Sequence, residues 1–282
     1  MIIHRNNFEW LANKKKFPEN IKAGKFRIQE GMSNNDLINH LRSGKQEVVK
    51  LIFNNIRSKE QLAKRISQQI EADSISIVDL LSDSAYMSKF NVDEANITTL
   101  FIPNTYNFFW NVNAEGFIER MHTEYQRFWN DNRKAKADAL EMTEQEVITL
   151  ASIVEKETQK NDEKQRLAGV YINRLNRGWR LQADPTLVFA LGDFGIKRVL
   201  NEHKEIDSPY NTYKVGGLPP GPICIPSISS IDAVLNYESH NFLYFCAKAD
   251  MSGYHAFAKN IREHNRNARD YQKELNKLRI YK

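Results

Sequence analysis

Apolar residues recur along this chain with two periods. Gly24-Lys25-Phe26-Arg27-Ile28 alternates as a strand does, and Val49, Leu51 and Phe53 alternate again. Between them, Leu37, Ile38 and Leu41 recur at helical spacing. Ser33 with Asp36 supplies an N-cap and a first-turn acid for that helix, and Gly44 supplies its stop. Ser58 with Gln61 has the spacing of a capping box, and Leu62, Ile66 and Ile70 share one face behind it. Two strand-then-helix units therefore open the chain as a small α+β module. A short helical piece around 77–81 lies within the polar stretch that runs from Asp73 to Asn96.

Phe101 to Trp110 is dense in aromatic residues and punctuated by Pro103 and Asn104. One long helix is expected from about Ala114 to Ala139, with Phe117, Met121, Tyr125 and Phe128 on its repeating face. Thr143 with Glu146 forms another capping box, and the helix behind it carries Val147, Leu150, Ala151 and Val154 on one side. Leu167, Val170, Tyr171, Arg174 and Leu175 mark a further amphipathic helix that ends at Gly178. From there to Ser230 the periodicity lapses into a mostly irregular stretch, the kind that is usually functional when it lies in a compact domain. Phe242–Ala247 and Tyr254–Phe257 read as a hairpin, and Ile261 to Leu278 as a basic closing helix. The expected fold class is α+β, with a strand-helix module over residues 1–99 and a larger mixed α/β domain over 100–282.

Composition changes this picture little. The 282 residues are 41% hydrophobic and 27% charged, as in ordinary globular chains. No apolar run approaches the ~20 residues of a membrane-crossing helix. The net charge of +5 favours acidic partners, but the basic residues are scattered, so nucleic acid is not expected. Cys224 and Cys246 sit in no metal-binding spacing, and no metal or cofactor is expected.

The candidate chemistry sits at the end of the Thr143 helix, in Glu155-Lys156-Glu157. Both glutamates fall near margins of the apolar arc. A carboxyl held against apolar groups has a raised pKa and can serve as a general acid. Two residues apart on a helix, they point about 160° from one another, so they cannot easily act together on one bond. Helical projection does not choose between them. In the irregular stretch, Gln182, Asp184, Tyr210, Asn211 and Tyr213 offer ring faces and directional hydrogen bonds of the kind a carbohydrate groove uses. His255 on the hairpin has a side chain suited to acid–base work.

Phe101 to Tyr106, Leu150 to Thr158, Gln182 to Thr186, Tyr210 to Tyr213, Gly217 to Pro222 and His255 to Phe257, in this order, resemble the MltG/YceG family of endolytic murein transglycosylases. The resemblance covers roughly 180 residues, and His264-Asn265 fits it as well. It implies a lytic transglycosylase that cleaves the MurNAc–GlcNAc β-1,4 bond of glycan strands and leaves 1,6-anhydroMurNAc ends. It also implies Glu155 as the catalytic glutamate; Glu157, Gln182, Asp184, Tyr210, Asn211, Tyr213 and His255 are the candidates for contact with the substrate. It likens the opening module to a LysM-like subdomain. Its further implications are glycan strands as substrate, cell-wall synthases as conceivable partners, and an inner-membrane, single-pass anchor with the catalytic domain on the extracytoplasmic side. This chain carries no such anchor and is expected to be a soluble piece of the anchored protein. The competing readings are a non-catalytic peptidoglycan-binding protein and, from basicity alone, a nucleic-acid binder.

Overall fold

The computed structural model describes residues 2–196 and 199–278. The opening module begins with a helix that the periodicity did not announce, α1 (Arg5–Lys14). The alternation at 24–28 gives extended backbone but no strand. It is tied to the next segment by Glu47, whose N–H donates to Lys25 O at 2.8 Å and whose carboxylate pairs with Arg27 at 2.7 Å. Ile28 remains exposed, so the segment has no buried face to fix a register.

The next elements follow their start and stop signals. In α2 (Asn34–Ser43) the Ser33 hydroxyl accepts from Asp36 N, and Gly44 closes the helix at φ 68°. Strand β1 (Val48–Ile52) follows. Helix α3 (Lys59–Ser67) is capped by Ser58. Asp73 accepts from Ile75 N and Ser76 N to start α4 (Ser74–Ser82), and α5 (Ser84–Met87) turns directly after it.

The aromatic run supplies strand β2 (Thr105–Phe109), which pairs antiparallel with β1 and sets Leu51 against Tyr106. The first core therefore reaches across residue 99. It joins Leu51, Phe53, Leu62, Ile66 and Ile77 to Phe101, Phe108, Phe117 and Met121.

The single helix expected over 114–139 is two helices, α6 (Ala114–Phe128) and α7 (Asp131–Ala139). Trp129 leaves helical geometry at ψ 64° and is buried, and the Asn130 side chain accepts from Arg133 N to start α7. A capping side chain competes here with helix continuation and wins.

The second core is built around α8 (Glu144–Glu157), which starts on the Thr143–Glu146 capping box. Val147, Leu150, Ala151 and Val154 are all buried. Helix α9 (Lys164–Leu175) packs along it. The stretch expected to be irregular contains the helix α10 (Asp184–Leu191) and runs at its end into α11 (Ile228–Leu235). The hairpin is present as β3 (Tyr244–Ala247) and β4 (His255–Ala258), and α12 (Ile261–Lys277) closes the described chain against it.

Candidate active site

Helix α8 carries both glutamates to one end of the second core. Thr158 leaves the helix in extended geometry, so Glu155 and Glu157 occupy its last turn. The turn at 223–224 lies on this helix. Ile223 N donates to Ser152 Oγ at 3.0 Å, and the Cys224 thiol approaches Ser152 O. Both cysteines are free.

Glu155 faces α11. Its Oε2 accepts from Ser230 Oγ at 2.5 Å, Ser227 Oγ at 2.6 Å and Lys164 Nζ at 3.0 Å. Ser227 is the N-cap of α11, so the carboxylate also lies at a helix N-terminus. Burial works to raise the Glu155 pKa. The hydrogen bonds from Ser227, Ser230 and Lys164, with the Lys164 charge, outweigh it, and the net displacement is downward. This corrects the expectation that the helix margin keeps Glu155 protonated: three donors, one of them the Lys164 cation, await it there.

Glu157 faces the other way, as the projection required, and its surroundings are the reverse. Tyr171 Oη, on α9, donates to its Oε1 at 2.5 Å. The residue keeps partial exposure at the floor of a cleft, yet protein surrounds it on nearly every side. Burial raises its pKa, the Tyr171 hydrogen bond lowers it, Asp184 raises it and Arg174 lowers it; the balance is a carboxyl pushed up to about 7. Burial also drives the Tyr171 hydroxyl well above its ordinary pKa, so it remains a donor.

Two cavities meet at Glu157 and Asp184. The larger, about 610 Å³, is lined by Arg57, Lys156, Val188, Phe194 and His255, among others. The smaller, about 320 Å³, is lined by Arg174, Gln182, Tyr213, Tyr244 and His264. Glu155 lines neither. Gln182 and Asp184 come from the segment that leads into α10. Gln182 holds φ +51°, a left-handed backbone unusual outside glycine, and its N–H donates to Thr212 O. Tyr213 Oη donates to Asp184 Oδ1 at 2.5 Å, which fixes both groups at the shared rim. Four of the expected residues, Glu157, Gln182, Asp184 and Tyr213, thus converge.

The remaining expectations divide. His255 lines the larger cavity while Glu163 grips it, with its backbone N–H and Nδ1 each 2.7 Å from a Glu163 oxygen. Tyr210 lines neither cavity. Its ring packs on Phe189 at 4.8 Å and its hydroxyl donates to Ala95 O of the first core's rim. Asn211 is fully buried and spends its side chain on backbone, donating to Lys204 O and Ile206 O and accepting from Tyr213 N. It shapes the loop and leaves no polar atom over for a sugar.

Sequence reasoning assigned no site role to Tyr171 or Arg174. Arg174 is buried, donates to Leu243 O at 2.8 Å and to Leu181 O, and so ties the Gln182 segment to the hairpin. A signal existed for both, since each is a polar side chain on an apolar helix stripe and must find partners there. Ser227 and Ser230 gave none, because their partner lies more than seventy positions away.

This arrangement of one carboxyl poised near neutrality, a second at the same rim and aromatic and amide walls suits proton transfer to a polyol substrate. Comparison with known proteins leads the same way. The sequence profile of the YceG-like family matches residues 1–270. The endolytic murein transglycosylase of Bacillus subtilis strain 168 is 28% identical over 266 residues, covering 89% of this chain and 73% of that protein. The protein of the same name from Streptococcus pneumoniae strain R6 is 29% identical over 96% of this chain, which spans about half (54%) of its length. A crystal structure of a yceG-like protein from Listeria monocytogenes shares the fold at TM-score 0.66 and 28% identity, over 94% of this chain and 90% of that one. With a family match that takes in both cores and the convergent site, the chain belongs to the YceG-like family.

Proposed function

We propose that this chain is a peptidoglycan lytic transglycosylase and that Glu157 is its general acid and base. The observation that carries the reading is the Glu157 carboxyl, raised to about 7 by burial at the meeting point of two cavities. A carboxyl with that pKa holds a proton to deliver and can take one back. In the reaction, Glu157 gives its proton to the oxygen of the MurNAc–GlcNAc bond as that bond breaks. The 6-hydroxyl of the muramic sugar attacks the oxocarbenium-like carbon, and its proton passes to the Glu157 carboxylate. The product is a 1,6-anhydro ring, and no water is consumed. Tyr171 steadies the carboxyl through its other oxygen. Gln182, Tyr213 and Asp184 position the sugar and lie near the developing positive charge. Glu155, which the family resemblance suggested for this role, serves here to anchor the end of α8 to α11.

The first-core module supplies affinity for the same polymer, in the manner of a LysM-like subdomain. The enzyme works outside the cytoplasmic membrane, where glycan strands lie, and trims or terminates new strands from a single-pass anchor upstream. No helix of the described residues is long and apolar enough to cross a membrane.

Asp184 beside Glu157 also provides the two carboxyl groups that a hydrolase needs. Digestion of uncrosslinked glycan strands in H2¹⁸O separates the two chemistries. The proposal expects anhydro-ended products without label, formed equally well in chelator. Labelled reducing ends would mean hydrolysis, and intact strands would mean a binding protein.

A further inference from the structure

The two cavities that share Glu157 and Asp184 differ in kind. The smaller offers the Gln182 amide and the Tyr213 and Tyr244 phenol rings, and its cation, Arg174, is engaged by the Leu243 and Leu181 carbonyls. That lining suits an uncharged sugar. The larger has nearly twice the volume, about 610 Å³ against about 320 Å³, and an unlike wall. Arg57 and Lys156 line it together with the apolar Val188, Phe194, Ile196 and Val199.

Neither cation pairs with a carboxylate among the described residues. Lys156 Nζ donates to the neutral Asn55 side chain at 2.7 Å. The Arg57 guanidinium lies on the Phe194 ring at 4.1 Å, which occupies one face and leaves its N–H edge to the cavity. The acidic groups on the same cavity do not cancel them. Burial pushes the Glu157 carboxyl up to about 7, so it carries only part of a charge near neutral pH, and Asp184 is engaged by Tyr213 at the rim shared with the smaller cavity. The ligand this lining asks for is an anion with small aliphatic groups attached, within reach of the sugar at Glu157.

We propose that the larger cavity binds the short acidic peptide borne by the muramic sugar, with Arg57 and Lys156 holding its carboxylates and the aliphatic wall its alanine side chains. This rests on the function given above. A muramic sugar stripped of its peptide still carries a lactyl carboxylate, but that group is far smaller than the cavity and touches no aliphatic wall. The enzyme therefore selects peptide-bearing strands, and these two cations set that choice.

Calorimetric binding to the full chain carrying Glu157→Gln, which cannot turn over, tests this directly. The probes are a GlcNAc–MurNAc tetrasaccharide bearing tetrapeptides, the same tetrasaccharide with its peptides removed by amidase, and chitotetraose. The peptide-bearing probe should bind about tenfold tighter than the stripped one, the size of a charge-assisted contact. Adding Arg57→Gln or Lys156→Gln should remove that advantage and leave the stripped probe unchanged, while Lys156→Arg should keep most of it. Thermal melts confirm that each variant is folded, and the unchanged stripped probe confirms that the sugar site is intact. Equal affinity for peptide-bearing and stripped probes overturns the inference and leaves the function standing. Parallel loss for both probes in the Gln variants overturns it too, since the cations then serve the sugar. Binding of neither probe rejects the inference together with the function.

Discussion

Glu155 and Glu157 stand two residues apart on the same helical turn, yet one carboxyl is held below its ordinary pKa and the other well above it. The cause is what each meets. Glu155 meets the donors Ser227, Ser230 and Lys164, whereas Glu157 meets burial and the field of Asp184, which the Tyr171 hydrogen bond and Arg174 offset only in part. The sequence showed that both lie at the edge of an apolar arc and point apart. It could not show which edge was furnished with donors, because Ser227 and Ser230 reach Glu155 only through the fold. The difference has a thermodynamic consequence. Glu157 titrates at about 7 in the folded chain against an ordinary value of 4.5. The folded state therefore keeps a proton that the unfolded state has released. The stability this contributes is fully present below the ordinary value and is lost as pH rises through about 7. Glu157→Gln abolishes this dependence. The melting temperature of that variant relative to the parent should climb between about pH 5 and pH 8. Glu155→Gln should show no such climb, because the stability tied to a depressed carboxylate disappears only as pH falls below the ordinary value. Scanning calorimetry of the three proteins at both pH values reads this, and a flat difference for Glu157→Gln would show that Glu157 is not buried enough to hold its proton.

Among the elements, those with their own start and stop signals were legible. The Ser33, Ser58 and Thr143 caps each begin a helix, and Gly44 ends one. Helix α10 was signalled and passed over, since Pro185 stands in its first turn and Gly192 in left-handed geometry closes it. What hid it was context, for Gly, Pro and Asn around a helix of only eight residues read as loop. The Gly217–Pro222 segment was legible as a shaped turn but not as to its purpose. Gly221 lies against the first core so closely that a Cβ there would come within 1.8 Å of Ala95 O, a backbone atom that cannot step aside. Tyr210 reaches the same carbonyl. Both serve the junction between the cores. Gly221→Ala should lower stability by about 1–3 kcal/mol, the usual cost of overpacking, or by more if the junction opens. Urea denaturation measures it, and an unchanged midpoint would show that the loop is free to move off Ala95.

At the scale of the molecule, the two cores are joined through the site's own surroundings. Ile225, which follows the turn seated on α8, is counted in the first core, and its N–H donates to Ile56 O at 2.7 Å. The neighbouring Arg57 then lines the larger cavity beside Lys156 of α8. No periodicity could reveal this, because long-range pairing leaves no local trace. The boundary expected at residue 99 followed local periodicity, whereas the β1–β2 hydrogen bonds join residues on either side of it. The central claim is that this architecture exists to keep one carboxyl, that of Glu157, protonated beside a glycan strand. The most direct test is the rate of strand cleavage by Glu157→Gln and Glu155→Gln on the same uncrosslinked strands, each variant confirmed folded by its melt. The account predicts that Glu157→Gln loses the full acid–base contribution, about 10²–10⁴ in rate, while Glu155→Gln keeps most of its activity once folded. An inactive Glu155→Gln beside an active Glu157→Gln would contradict it.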